Sequence, residues 1–134
     1  MITAVKALID VKEAVSMILL QAGFADGSKK IVDNKPMFWF VNVSSKEGGE
    51  KETYLTYNII ELAAQTIFGD GEPLSRQVRV KLELFSRNKK IDDILINLNN
   101  AFVLNNWPFE FADEIGYDSG NQLYIYSFFT DCVV

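Results

Sequence analysis

Apolar and charged residues alternate from Val78 to Ser86 almost without interruption. A period of two places Val78, Val80, Leu82 and Leu84 on one face of a strand and Arg79, Lys81 and Glu83 on the other. One dry face and one wet face imply an antiparallel sheet covered on one side. The rest of the chain reads as cover or extension for this strand. The period changes to that of a helix between about Thr3 and Ala22. There Ala4, Leu8, Val11, Val15, Ile18 and Ala22 form an apolar stripe, with Lys6, Asp10, Glu13 and Gln21 opposite and Gly23 as a stop. A second helix is expected from Ile91 to Asn105. Its stripe is Ile91, Ile94, Leu95, Leu98, Ala101 and Phe102, and Asp92 and Asp93 suit the positive end of the helix dipole. Asn106-Trp107-Pro108 ends it.

Aromatic and β-branched content marks two more strands, Met37–Val43 and Tyr54–Leu62. Between them lies Ser44–Glu52, polar and glycine-containing, which reads as the flexible tip of a long hairpin. Asp26–Asn34 reads as a loop. Phe68-Gly69-Asp70-Gly71-Glu72-Pro73 is a turn feeding the alternating strand. Phe109–Phe111 suggests a short strand, Ala112–Gly120 an acidic, turn-rich stretch, and Gln122–Val134 a final strand. The expected order is α-β-β-β-α-β-β, a single α+β domain over residues 1–134 with two helices packed on an antiparallel sheet.

Some apolar residues fall outside these stripes. Met17 and Leu20 sit toward the polar side of the first helix, and Ile96 and Val103 lie on the far face of the second. Each is either a solitary exposed residue or part of a contact with another subunit. Phe38, Trp39 and Phe40 make both faces of their strand apolar, so both need cover, part of which a neighbouring chain can supply.

Composition narrows the chemistry. With 134 residues, nearly half of them apolar, the chain has enough material for one real core. Mean hydropathy is +0.06, which fits either a rich core or apolar surface kept for a partner. The net charge is −5, and no basic patch of the kind that grips DNA is visible. The chain has no histidine and a single cysteine, Cys132. The commonest general base and the usual nucleophile pairs are therefore missing, and no intrachain disulfide or zinc cluster can form. Asp113, Glu114 and Asp118 are the densest acids, read as solvated rather than as a cation site. Gly69-Asp70-Gly71 lacks the Lys-Ser/Thr of a phosphate loop. The aromatics Phe38-Trp39-Phe40 and Tyr124, Tyr126 and Phe128 lack the positive groove that accompanies base stacking. No signal peptide or membrane span is evident, so an intracellular product is expected, with no enzymatic activity and no cofactor or metal.

From Tyr54 onward the order of segments is distinctive. Tyr54-Leu55-Thr56-Tyr57 is followed by Phe68-Gly69-Asp70-Gly71, the alternating strand Val78–Ser86, a charged turn and the helix Ile91–Asn105. An acidic stretch with Gly116-Tyr117-Asp118 and the aromatic strand Leu123–Phe129 close the series. This order resembles the tail terminator (tail-to-head joining, or tail-completion) proteins of long-tailed bacteriophages, and the first helix fits as well. The resemblance implies a structural virion protein located at the tail–head junction, and in the host cytoplasm during assembly. It would form a ring, typically a hexamer, that caps the tail tube, ends its polymerisation and joins the tail to the head. The implied partners are the chain itself, the tail tube protein and a head-completion or connector protein, with DNA passing through unbound. Met17, Leu20, Phe38, Trp39, Phe40, Ile96 and Val103 are then candidate subunit contacts. Lys46, Glu47, Gly48, Gly49 and Glu50 form a candidate docking loop. The alternative expectation is a small intracellular adaptor or ligand-binding α+β domain unrelated to virions.

Overall fold

The computed structural model describes residues 4–29, 35–41, 52–64, 76–88 and 90–133. Among the described residues two helices and six strands follow one another along the chain. They are α1 (Ala4–Gln21), β1 (Ala25–Asp26), β2 (Met37–Phe40), β3 (Thr53–Ala64), β4 (Arg76–Ser86), α2 (Asp92–Leu104), β5 (Phe109–Asp118) and β6 (Leu123–Val133). The strands form one sheet in the order β1-β2-β3-β4-β6-β5. The architecture is α+β, as the patterning predicts.

The alternating strand is β4, at the centre of the sheet. It pairs antiparallel with β3 from Thr53↔Ser86 to Ala64↔Arg76, and on its other side with β6 from Gln77↔Val133 to Ser86↔Tyr124. Its dry face is fully dry: Val78, Val80, Leu82 and Leu84 are all 0% exposed. Each such side chain contributes about 1.5–3 kcal/mol through burial. Both helices pack on this face. From α1 come Val11, Val15, Ile18 and Leu19; from α2 come Leu98, Ala101 and Phe102; Phe38, Leu55, Tyr57 and Phe128 complete the core from the sheet. Phe102, Phe109 and Phe128 stack in series, with ring centroids 5.1 and 4.5 Å apart. Asn105 ties the helices together at their C-terminal ends, its Nδ2 donating to Gln21 Oε1 at 2.9 Å and to Ala101 O at 2.7 Å.

The opposite face is not uniformly wet. Ala25, Met37, Trp39 and Tyr54 form a second buried cluster there, with Phe85 packed against it. Trp39 meets Tyr54 edge-on at 6.3 Å, and Tyr54 stacks on Phe85 at 4.9 Å. Toward the other end the same face is charged: Arg79 Nε donates to Asp131 Oδ1 at 3.1 Å while its guanidinium lies 4.8 Å from the Phe129 ring centre.

Four expectations are corrected. The segments Met37–Val43 and Tyr54–Leu62 are not a hairpin: β2 and β3 are parallel, Met37↔Tyr54 to Phe40↔Tyr57. A parallel pair needs a return connection, and the chain between Phe40 and Thr53 is longer than the about two to five residues of most hairpin loops. The sheet is therefore mixed rather than purely antiparallel. The loop expected from Asp26 begins instead as the tail of the short strand β1, parallel to β2. The acidic stretch after Phe111 is not turn-rich, because β5 continues to Asp118 across an irregularity between Phe111 and Ile115. Finally, Leu8, assigned to the buried stripe of α1, is 38% exposed, whereas Ala7, Val11, Val15 and Leu19 are fully buried.

Candidate interaction surface

Most of the large apolar side chains left exposed lie on the two helices: Val5, Leu8, Ile9, Met17 and Leu20 on α1, and Ile96, Val103 and Leu104 on α2. Five of them, Met17, Leu20, Ile96, Val103 and Leu104, mark two places. A groove of about 660 Å³ opens between α1 and the β1–β2 edge, lined by Lys12, Ser16, Met17, Leu20, Asp26, Lys29, Phe38, Trp39, Phe40 and Tyr57, among others. Met17 is 61% and Leu20 50% exposed at its rim. The second place is the outer face of α2, where Ile96 is 55%, Val103 54% and Leu104 84% exposed. A shallower depression of about 640 Å³ flanks it, between the C-terminal ends of the helices.

Five of the seven contact residues expected from the sequence thus gather at one groove. Ile96 and Val103 stand apart from them on α2. Within the groove the five differ in kind. Phe38 and Trp39 are 2% and 6% exposed and belong to the chain's own core, one on each face of the sheet, whereas Met17 and Leu20 are open. Phe40 is half-buried under the Lys12 ammonium, which sits 4.3 Å from its ring centre. Lys46, Glu47, Gly48, Gly49 and Glu50 lie outside the described residues, as do Gly69-Asp70-Gly71 and the side chains of Asp113, Glu114 and Cys132.

The groove carries polar groups above its aromatic floor. Ser16 Oγ and Tyr57 Oη lie 3.4 Å apart. Burial pushes the Tyr57 phenol above its usual value, against the opposing pull of the Ser16 hydrogen bond, and the nearby Asp26 carboxylate adds to the rise. Asp26 is itself engaged, its Oδ1 accepting from Ser28 N at 3.0 Å and Ser28 Oγ at 2.7 Å. Gly27 packs so closely on the Trp39 indole that a Cβ there would overlap the ring. This contact holds the turn after β1 against the sheet and forms one wall of the groove. Among the described residues no group of three or more histidine, cysteine or acidic side chains could hold a metal ion, and no helix is long and apolar enough to cross a membrane. Asp118 turns back onto its own loop, accepting from Gly120 N at 3.0 Å and Asn121 Nδ2 at 2.8 Å, and these bonds hold its carboxyl below the usual range.

Val5, Ile9 and Leu104 were missed as candidates, although their helical positions carry the signal. At 100° per residue Val5, Ile9 and Leu20 fall together on the side of α1 turned away from Val11 and Val15. Set against models of known protein families the sequence matches none, and comparison with curated proteins likewise finds no match.

Proposed function

We propose that the chain is a ring-forming structural protein of the tail terminator type, which caps a phage tail tube, ends its growth and joins it to the head. The observation that carries this reading is the pair of separate apolar patches, one at the Met17–Leu20 groove and one on the Ile96–Val103 face of α2. A closed ring is built from heterologous contacts, which need two different patches on each subunit. Exposed apolar patches rimmed by polar residues mark interaction sites. The order of motifs from Tyr54 to Phe129 supports the same reading, and the net charge of −5 suits a collar through which DNA slides without being held. The test is electron microscopy of tails assembled with and without the protein. Tubes of uncontrolled length are expected in its absence, and a normal length distribution without it would refute the role.

The groove's volume favours a second reading, a small adaptor or ligand-binding domain, because about 660 Å³ falls within the size of small-molecule sites. That reading predicts a monomer or dimer at every concentration, with a ligand in the groove that perturbs Trp39 fluorescence.

A further inference from the structure

We infer that copies of this chain join edge to edge, the acidic strand β5 of one lying along the β1–β2 edge of the next, so that the sheet continues from subunit to subunit. The inference rests on the ring reading and names the contact that builds the ring.

Among the described residues no strand pairs with the outer side of either edge of the sheet, and the two edges differ. At one end β1 pairs with β2 only at Ala25↔Met37 and Asp26↔Phe38. The Gly27 N–H donates to Phe38 O at 2.8 Å, and the Val41 N–H points the other way, to Tyr57 O at 2.7 Å. Backbone groups of a strand alternate between its two sides. The N–H and C=O of Phe40 therefore point outward, past the end of β1, with no backbone partner among the described residues. At the other end β5 pairs with β6 alone and presents a ten-residue outer edge. An edge this long is a template for another strand.

Charge decides which edges meet. β5 carries Glu110, Asp113, Glu114 and Asp118 and no basic residue. Two β5 edges side by side would bring acidic strand against acidic strand, which opposes a twofold pairing. The β1–β2 edge is flanked by Lys12, Lys29 and Lys35. Its acids among the described residues, Glu13 and Asp26, stand beside these lysines, and Asp26 also accepts from Ser28. In a chain of net charge −5 this edge is close to balanced, and so less negative than β5. Repulsion between acidic edges therefore favours β5 against β1–β2, a head-to-tail contact that propagates in one direction and closes as a ring. It also brings α2 of one copy beside the Met17–Leu20 flank of α1 on the next, because each helix lies over its own edge of the sheet.

Two measurements test this. Amide hydrogen exchange is followed before and after assembly on tail tubes or at high protein concentration. Peptides covering 109–118 and Phe40 are expected to slow by roughly tenfold or more. A ring whose β5 and β2 exchange as in the monomer overturns edge pairing while leaving the ring reading standing. Charge reversal is the second measurement. Glu110→Lys and Lys29→Glu should each weaken assembly by roughly tenfold. An equimolar mixture should recover it, since each variant keeps one intact edge and the two reversed edges complement each other. Variants that assemble like the wild type would show that the acids of β5 only keep its edge soluble. A chain that stays monomeric even on tail tubes would defeat both this inference and the ring.

Discussion

At Gly27 a Cβ would overlap the Trp39 indole. Gly27→Val is therefore expected to cost about 1–3 kcal/mol through overpacking, measured by urea unfolding, with a shift in Trp39 emission as the ring is displaced. Tyrosine burial gives a residue-scale pH dependence. The phenols of Tyr57, Tyr54 and Tyr126 are all raised, chiefly by burial. Tyrosines of the unfolded chain ionise near the ordinary value of 10.0, before those of the folded protein do. The stabilisation these phenols give is thus complete below that pH and is lost as the pH rises through the folded values. Denaturant midpoints should fall on the alkaline side of about pH 10, and Tyr57→Phe should make that fall shallower. An unchanged slope in the variant would show that Tyr57 does not carry the effect. Asp118 works in the opposite sense. Its lowered pKa favours the folded state above the usual carboxyl range, and that support is lost as the pH falls through the folded value.

At the scale of elements, the central strand sets the energetics. Leu82 is completely buried between α1, α2 and the neighbouring strands, so Leu82→Ala should cost about 2–5 kcal/mol. Its neighbour Glu83 looks out from the other face, and Glu83→Ala should stay within about 0.5 kcal/mol; paired thermal melts separate the two. β4, α1 and α2 were legible in the sequence because each has one buried face, and a half-buried element writes its period into the chain. β2 and β1 were not legible in the same way. Met37–Phe40 is covered on both faces, so no alternation reveals its direction, and Ala25–Asp26 is too short to show a period. β5 was cut short because Asp113 and Glu114 read as a turn, although an edge strand tolerates acids and an irregularity in a way a central strand does not. For the interaction surface, exposure of Met17, Leu20, Ile96 and Val103 followed from helical position alone. Their division into two patches, and the burial of Phe38 and Trp39, needed the sheet order.

For the whole molecule, the ring reading predicts that each patch is needed and that neither supports the fold. Met17→Glu with Leu20→Glu, or Ile96→Glu with Val103→Glu, should leave the melting temperature within a few degrees of wild type, since surface changes of this kind stay within about 0.5 kcal/mol. Each double variant should nevertheless fail to cap tails, scored by length in electron micrographs. Loss of folding in both would instead assign these side chains to the core. The place of β4 in the chain order has a bearing on synthesis. Everything before Arg76 leaves the ribosome without the strand that β3 must pair with and on whose side chains α1 must rest. The early product is an amphipathic helix and a parallel ribbon of strands with nothing to lean on, and it depends on chaperones or on speed until the middle of the protein has emerged. A stalled or prematurely terminated message would thus yield a sticky fragment fit only for proteolysis, so the supply of folded protein is set by full-length translation.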